Sequence, residues 1–339
     1  MKVYLAQINP TVGALESNYE LIRKAYEDGT RAGADVIIVP ELAVTGYPPR
    51  DLLDKRVFID RNLTVRDRLV EMTRDAALIF GCVTWNEEAG KPFRNTAAIA
   101  HGGRLLLQQH KTLLPTYDVF DELRYFEPAV VRNVVELFGK KVGVVICEDF
   151  WFNDEIMGRP RYSADPVSDL IDQGAEILIN ISDSPFNVGK RSARYEMFRS
   201  IASSHSVPLV YCNQVGGNDE LLFDGSSIVV DAGGRTVFCA PSFRESAALV
   251  MLDGPACEAV GTMSEEQETA EALILGLTDY LRKTGFREVV IGLSGGIDSA
   301  VTAASGVAAR AIWRRTYWST TTNSAVAAIS RSGTPGARW

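Results

Sequence analysis

Residues 141–151 read KVGVVICEDFW, five apolar or small residues running into Cys147 and then two acids. A short run rich in valine and isoleucine, with no polar alternation, suits a strand buried on both faces. Runs of the same kind recur on either side: ADVIIVP (34–40), DAALIFGCVTW (75–85), AEILINIS (175–182) and VPLVYCNQ (207–214). The opening MKVYLAQINP also reads as a strand. Two hairpins interrupt them, NTAAIAHGGRLLLQQHK turning at Gly102-Gly103 and SSIVVDAGGRTVFCA turning at Gly233-Gly234. Amphipathic segments lie between strands, SNYELIRKAYEDGTRAG (17–33) and DRNLTVRDRLVEMTRDA (60–76). The fold class is therefore α/β, packed sheets with outer helices, without internal repeats or low-complexity tracts.

The whole chain sets bounds on function. At 339 residues and 46% hydrophobic it is long enough for one large domain and part of another. A net charge of −8 argues against a nucleic-acid partner held by its phosphates. No apolar run has membrane-spanning length, and the N-terminus lacks the apolar block of a signal peptide. Five cysteines without a CxxC pair suggest neither a disulfide framework nor a zinc site. Together these read as a soluble cytoplasmic protein with no metal site, no nucleic-acid partner and no membrane partner.

A boundary is expected near residue 255. Beyond it Ser264 with Gln267 makes a capping box, Leu273, Leu277 and Leu281 recur at helical spacing, and Gly285 ends the helix. Then comes VVIGLSGGIDSAV, residues 289–301. Backbone N–H groups at Gly295 and Gly296 can approach an anion closely, the following helix adds its positive end, and Ser294 and Ser299 add hydroxyls. It is not a Walker A loop, since no Gly-Lys-Ser/Thr follows.

Three strings in the larger region carry reactive groups at strand or hairpin ends: VPELAVTGYPP around Glu41, HKTLLPTYDVFDELRYF around Lys111, and GVVICEDFW around Cys147. A thiol attacks only as thiolate, and with a pKa of about 8.5 it needs a base. Glu41 can be that base, and a lysine ammonium can stabilise thiolate and oxyanion, worth roughly 3–4 kcal/mol. Each group also has a structural reading. Cys147 can be a buried strand-end cysteine like Cys82, Cys212 and Cys239, Lys111 a solvated charge, and Glu41 a cap. The rival chemistry is a papain-like pair with His205 or His110 as base.

The three strings, in this order and spacing, resemble the Glu-Lys-Cys triad of the nitrilase (carbon–nitrogen hydrolase) superfamily over residues 1 to about 250. The string Ser-Gly-Gly-x-Asp-Ser resembles the pyrophosphate loop of the N-type ATP pyrophosphatases. NISDSPFNVGKR and YCNQVGGNDELLFDG are similar to the glutaminase branch found in glutamine-dependent NAD synthetases. The resemblance implies a four-layer αββα sandwich that forms homo-oligomers, followed by an incomplete Rossmann-like ATP-pyrophosphatase domain. It implies Glu41 as base, Lys111 as oxyanion-stabilising cation, Cys147 as nucleophile and Glu122 as the glutamate that orients the lysine. By the same carry-over Tyr117, Ser184 and Lys190 bind glutamine, the Glu148 N–H donates to the oxyanion, and Ser294, Gly295, Gly296, Asp298 and Ser299 bind ATP. The implied reaction takes ammonia from glutamine for ATP-dependent amidation of deamido-NAD. No cofactor is expected in the glutaminase domain, and ATP with magnesium in the full-length synthetase. A free-standing amidase and an inactive fragment are the alternatives.

The expected domains are 1–255 for the hydrolase, 256–286 for a linker and helix, 287–305 for the start of the synthetase domain, and 306–339 for an aberrant, disordered tail. Beyond Asp298 there is no Asp, Glu or Lys, while Arg310, Arg314, Arg315, Arg331 and Arg338 and three of the five tryptophans fall there. A lost reading frame near residue 305 would explain that composition, leaving a synthetase domain begun and not finished.

Overall fold

The computed structural model describes every residue except 153–154, 157–158, 258–262, 287–288, 312–316, 322–323 and 330–339. The chain forms two compact units, Met1–Val215 with Phe223–Thr262, and Gly216–Leu222 with Met263–Trp339.

In the first unit β1 (Lys2–Gln7), β2 (Val36–Ile38), β3 (Ala77–Trp85), β4 (Phe93–His101), β5 (Arg104–His110) and β16 (Ser246–Met251) form one sheet in the order β16-β1-β2-β3-β4-β5. A second sheet contains β6 (Val134–Leu137), β7 (Lys140–Ile146), β10 (Ile177–Ser182), β11 (Leu209–Asn213), β14 (Ile228–Val230) and β15 (Thr236–Cys239), ordered β15-β14-β11-β10-β7-β6. The small pair β8 (Glu155–Ile156) and β9 (Arg159–Pro160) stands apart from both. Alternate residues of the two large sheets meet in one core: Val3, Leu5, Ile38 and Ile79 from the first, with Val144, Ile146, Ile179 and Val210 from the second.

The opposite faces carry helices. Ile37, Leu78, Phe80 and Ala98 pack under α1 (Leu15–Arg31) and α2 (Arg56–Met72), while Val145, Leu178, Leu209 and Tyr211 pack under α3 (Pro166–Asp172) and α4 (Lys190–His205). This is the four-layer αββα sandwich. The central strands read as unbroken apolar runs because both of their faces are covered. Helix α1 shows how the sequence allots its faces. Leu15, Ile22, Ala25, Tyr26 and Gly29 are buried at helical spacing, and Arg23–Glu20 and Lys24–Asp28 pairs occupy the wet side.

One glycine sets the approach of two segments that matter below. A Cβ on Gly81 would stand 2.1 Å from the Leu42 nitrogen and 2.5 Å from the Glu41 carbonyl carbon. Gly81 N–H also donates to the Pro40 carbonyl at 3.1 Å, and its own carbonyl accepts from Val44 N–H at 3.1 Å. Backbone cannot yield as a side chain can, so Gly81→Ala is expected to cost about 3 kcal/mol, at the upper end for an added methyl in a packed core. A urea titration would read this as a lower midpoint with unchanged slope.

The second unit holds the tip of the hairpin β12 (Val215–Asn218) and β13 (Leu221–Asp224), then α5 (Glu265–Thr284), β17 (Val289–Leu293), α6 (Ile297–Ala311), β18 (Tyr317–Thr321) and β19 (Ser324–Ile329). Ser264 and Gln267 form the capping box, and Gly285 caps the far end in the left-handed region. The buried positions of α5 include Ala272, Thr278 and Asp279, whereas Leu273 of the apolar row stays 53% exposed. Asp279 accepts the Gly217 N–H at 2.8 Å, which turns a polar position into the helix's anchor to the hairpin tip. Of the stretch expected to be a disordered tail, the structure describes α6 through Ala311 and two strands beyond it, in the order β17-β19-β18. Those strands are rich in threonine, valine, tyrosine and tryptophan, residues that favour extended backbone. Arg314, Arg315, Trp313 and residues 330–339 lie outside the described residues.

Candidate active site

Glu41 follows β2, Lys111 follows β5, and Cys147 follows β7, so each sits just past a strand end, a buried one for Glu41 and Cys147 and the partly exposed edge strand for Lys111. The tertiary fold brings them to one place. Lys111 is 1% exposed, and its Nζ donates to Glu41 Oε1 and to Glu122 Oε1, both at 2.8 Å. Glu41 is fully buried and takes three further constraints on its position. Asn95 Nδ2 donates to Oε1 at 2.7 Å, the Asp183 N–H donates to Oε2 at 2.9 Å, and Gly81 lies against its backbone. Tyr47 Oη donates to Glu122 Oε1 at 2.9 Å.

Cys147 opens a tight turn with φ +45°, in the left-handed region that non-glycine residues rarely enter. The turn is held by Asp149. Its Oδ2 accepts the Ile146 N–H at 3.0 Å, and its Oδ1 accepts the N–H groups of Thr112 at 3.0 Å and Leu113 at 2.8 Å. One carboxylate thereby ties the cysteine turn to the two residues after Lys111. Asn180 Nδ2 donates to the Cys147 carbonyl at 3.1 Å.

The electrostatics follow from burial and these neighbours. Burial pushes the Cys147 thiol well above its ordinary pKa, Glu41 adds to the rise, and Lys111 opposes it. Burial works against the Lys111 ammonium, but Glu122 and Glu41 outweigh it and hold the lysine charged. Glu122 is pushed up to about 7 by burial, with Lys111 pulling the other way.

The three residues expected to hold the substrate are placed differently from one another. Ser184 is buried and locked to Asn213, its N–H donating to Oδ1 at 2.9 Å and its carbonyl accepting from Nδ2 at 3.2 Å. Tyr117 is 37% exposed and its Oη donates to Glu148 Oε1 at 2.9 Å. Tyr162 donates to the same oxygen at 2.5 Å, and the Arg161 guanidinium lies 3.9 Å from the Tyr117 ring centre. Lys190 opens α4, with Nζ 5.8 Å from the Trp151 ring centre, and burial followed by Arg194 lowers its pKa. The histidines of the rival chemistry are elsewhere engaged. His110 Nδ1 is 2.8 Å from Thr96 Oγ1 and burial lowers its pKa to about 4, while His205 ends α4.

The loop residues lie together in the second unit. Gly295 has φ +85°, the Ser294 N–H donates to Ser299 Oγ at 3.3 Å, and the Gly296 N–H donates to Ser294 Oγ at 3.3 Å. Asp298 sits in the first turn of α6. Among the described residues no group of three or more His, Cys, Asp or Glu is placed to hold a metal ion. Among them, too, no helix is long and apolar enough to cross a membrane.

Sequence reasoning missed Asn95, Asp149, Asp183 and Tyr47, and used Glu148 only for its backbone. Each lies in or beside a string already singled out, but a lone polar residue at a strand end has no pattern that separates it from an ordinary cap.

A thiol, a lysine and two glutamates lie together, three of them just past strand ends and Glu122 in the short turn Glu122–Arg124. The carbon–nitrogen hydrolase family model matches residues 2–261, and the chain belongs to that family. The NAD synthase model matches residues 269–320. The chain is 41% identical over 318 residues to a glutamine-dependent NAD(+) synthetase of Synechocystis sp., and 36% identical to one of Acinetobacter baylyi. It spans only 57% and 56% of those relatives, while 91% and 92% of this chain is covered. A glutamine-dependent NAD+ synthetase structure from Acinetobacter baumannii superposes with a TM-score of 0.83 at 34% identity, covering 91% of this chain and 57% of that one. A nitrilase-superfamily amidase of Nesterenkonia shares the fold, with a TM-score of 0.65 at 22% identity over 75% of this chain and 91% of its own.

Proposed function

We propose that the first unit hydrolyses the side-chain amide of glutamine with Glu41, Lys111 and Cys147, as the glutaminase half of a glutamine-dependent NAD(+) synthetase. The single observation that carries the reading is the Lys111 ammonium held by Glu41 and Glu122 beside the Cys147 turn. Because the resting thiol is neutral, its proton has to pass to Glu41 as sulfur attacks the amide carbon. The oxyanion formed is met by the Lys111 ammonium and the Glu148 N–H. Collapse breaks the C–N bond, the Glu41 proton goes to the leaving nitrogen, and ammonia departs. Water then attacks the thioester with Glu41 again as base, the C–S bond breaks, and glutamate leaves. Glu122 keeps the lysine aimed, which is why its second contact to Tyr47 matters.

For the substrate, Ser184 and Tyr117 are assigned contacts by the resemblance to the glutaminase branch, and Lys190 supplies a cation suited to an α-carboxylate. The Glu148 carboxylate suits the α-ammonium group. Lys190→Ala is expected to raise KM for glutamine about tenfold while leaving KM for a simple aliphatic amide unchanged. Equal changes for both would remove the carboxylate reading. Ammonia release from glutamine, compared with a panel of other amides, tests the function itself and separates it from a free-standing amidase and from an inactive fragment.

Ammonia, ATP and deamido-NAD complete the substrate set of the full-length enzyme, which we infer to be a homo-oligomer. The loop Ser294–Ser299 offers backbone amides and hydroxyls to the pyrophosphate of ATP, while the Asp298 carboxylate, an acceptor only, would meet it through a bridging cation. Residues 1–339 by themselves are expected to form no NAD from deamido-NAD, ATP and free ammonia, since only residues 269–320 match the NAD synthase model and so short a stretch leaves the loop without most of an adenylation site. Free ammonia bypasses the glutaminase, so ammonia-dependent NAD formation by the purified chain would overturn this expectation.

A further inference from the structure

The triad leaves one group of buried polar atoms beside the cysteine unexplained. Strands β7, β10 and β11 are neighbouring and parallel, with Ile146 opposite Ile181 and Ser182 opposite Asn213. One residue further along, Cys147 and Ser182 end adjacent strands side by side. Alternation sends Ile177, Ile179 and Ile181 into the core between the sheets and turns Asn180 and Ser182 toward the α3 and α4 side, where Tyr211 also packs. Asn180 reaches the Cys147 backbone from that face.

Ser182 is 1% exposed and Tyr211 2% exposed, yet neither Ser182 Oγ nor Tyr211 Oη makes a hydrogen bond of ordinary geometry; what they have are looser contacts, Ser182 with the Cys147 sulfur and Tyr211 with Ser182. Arg194, 1% exposed, lies above the Tyr211 ring at 5.8 Å, and it uses one nitrogen on Asp224 while Nε and Nη1 have no partner. A buried hydroxyl left unpaired costs about 1–3 kcal/mol, and two in succession next to a nucleophile call for a physical reason. In a resting enzyme such contacts are long and tighten only when charge develops. The sulfur is where it develops here.

We propose that the Ser182 hydroxyl is a further catalytic group, donating a hydrogen bond to Cys147 Sγ, with the Tyr211 hydroxyl behind it donating to Ser182 Oγ. The inference rests on Cys147 being the nucleophile. As the thiol proton goes to Glu41, negative charge collects on sulfur and Ser182 O–H meets it without giving up its own proton. The same donor meets the sulfur again when the thioester intermediate collapses and the C–S electron pair returns to it. Tyr211 fixes the serine rotor, so that the hydroxyl hydrogen points at sulfur and not away. The other charges acting on this sulfur are Glu41 and Glu148, which disfavour the thiolate, and Lys111, which favours it; Ser182 acts with Lys111.

The test is alkylation of Cys147 by iodoacetamide, followed by peptide mass spectrometry across pH 6–9, in the full chain and its Ser182→Ala and Tyr211→Phe variants. Peptide resolution separates Cys147 from the other four cysteines. Ser182→Ala is expected to alkylate about tenfold more slowly along the rising part of the profile, equivalent to a thiol pKa about one unit higher. Its kcat for glutamine should fall by a similar factor with KM unchanged. Tyr211→Phe should shift the profile the same way by a smaller amount. Wild-type alkylation rates and pH profile in Ser182→Ala would overturn the proposal, even if turnover fell, because a purely structural role would not move thiol ionisation in this direction. Failure of the triad reading looks different: Cys147→Ala would then still hydrolyse glutamine.

Discussion

Cys147→Ala is expected to lower glutamine hydrolysis by about 10⁴-fold or more, with no trapped thioester intermediate. The thiol is the strongest nucleophile among the described groups of the site; Glu41 is fully buried, braced by Asn95 and the Asp183 N–H, and cannot reach out in its place. The fold should survive the change. What holds the turn is the Asp149 carboxylate and the Asn180 amide, and both bond to backbone or to neighbouring residues, leaving the sulfur out of the scaffold. Circular dichroism and a thermal melt within a few degrees of wild type would establish that lost activity is lost chemistry. A variant that kept wild-type turnover would remove the nucleophile assignment outright.

Lys111→Ala should also be severe for turnover and far worse for stability. The oxyanion loses its cation, a loss of about 10²–10³-fold in kcat. The larger effect is on the ground state. Removing the ammonium leaves Glu41 and Glu122 buried together without a counter-charge, and breaking a buried pair from one side costs about 3–5 kcal/mol. This cost depends on pH in a definite direction. Glu122 already sits at about 7, above the ordinary value of 4.5, because burial disfavours its charge and Lys111 opposes that shift. Without the lysine its pKa rises further. A carboxyl whose folded pKa is raised binds its proton more tightly in the folded state, so the variant is most stable below pH 4.5. It loses stability as pH climbs through and beyond 7. Urea midpoints at pH 5.5 and 8.5 should therefore diverge much more in Lys111→Ala than in the wild type, with the acid condition favoured. Equal midpoints would mean that the ammonium is not the counter-charge of these two glutamates.

Much of the architecture could be read from local pattern. Apolar runs without alternation marked the strands covered on both faces, and Gly102-Gly103 and Gly233-Gly234 marked hairpins that the structure contains, between β4 and β5 and between β14 and β15. The capping box at Ser264 and the glycine stop at Gly285 were legible for the same reason, since each is a contact between residues a few positions apart. The face that α5 buries was not. Leucines at helical spacing suggested it, but Asp279 lies buried because the Gly217 N–H meets it from the hairpin tip, a partner 62 residues away.

The candidate site divides in the same way. The sequence by itself determined that a cysteine, a lysine and a glutamate each follow a strand or hairpin edge, because apolar runs and turn residues specify strand ends through local conformational preference. Only the tertiary structure decided how they act on one another. Lys111 reaches Glu41 across 70 residues and Glu122 across 11, and the Asp183 N–H reaches Glu41 across 142. Nor does any spacing in the chain foretell that Asp149 would clamp the Cys147 turn to Thr112 and Leu113, or that Ser182 would stand beside the sulfur with Tyr211 next to it, neither hydroxyl in a hydrogen bond of ordinary geometry. The physical reason is common to all of these. A strand's own residues set where it runs and which face is apolar, but the register between strands and the packing of two sheets place polar side chains from distant segments within about 3 Å of one another. Hydrogen-bond energies and pKa shifts at a buried site depend on that placement.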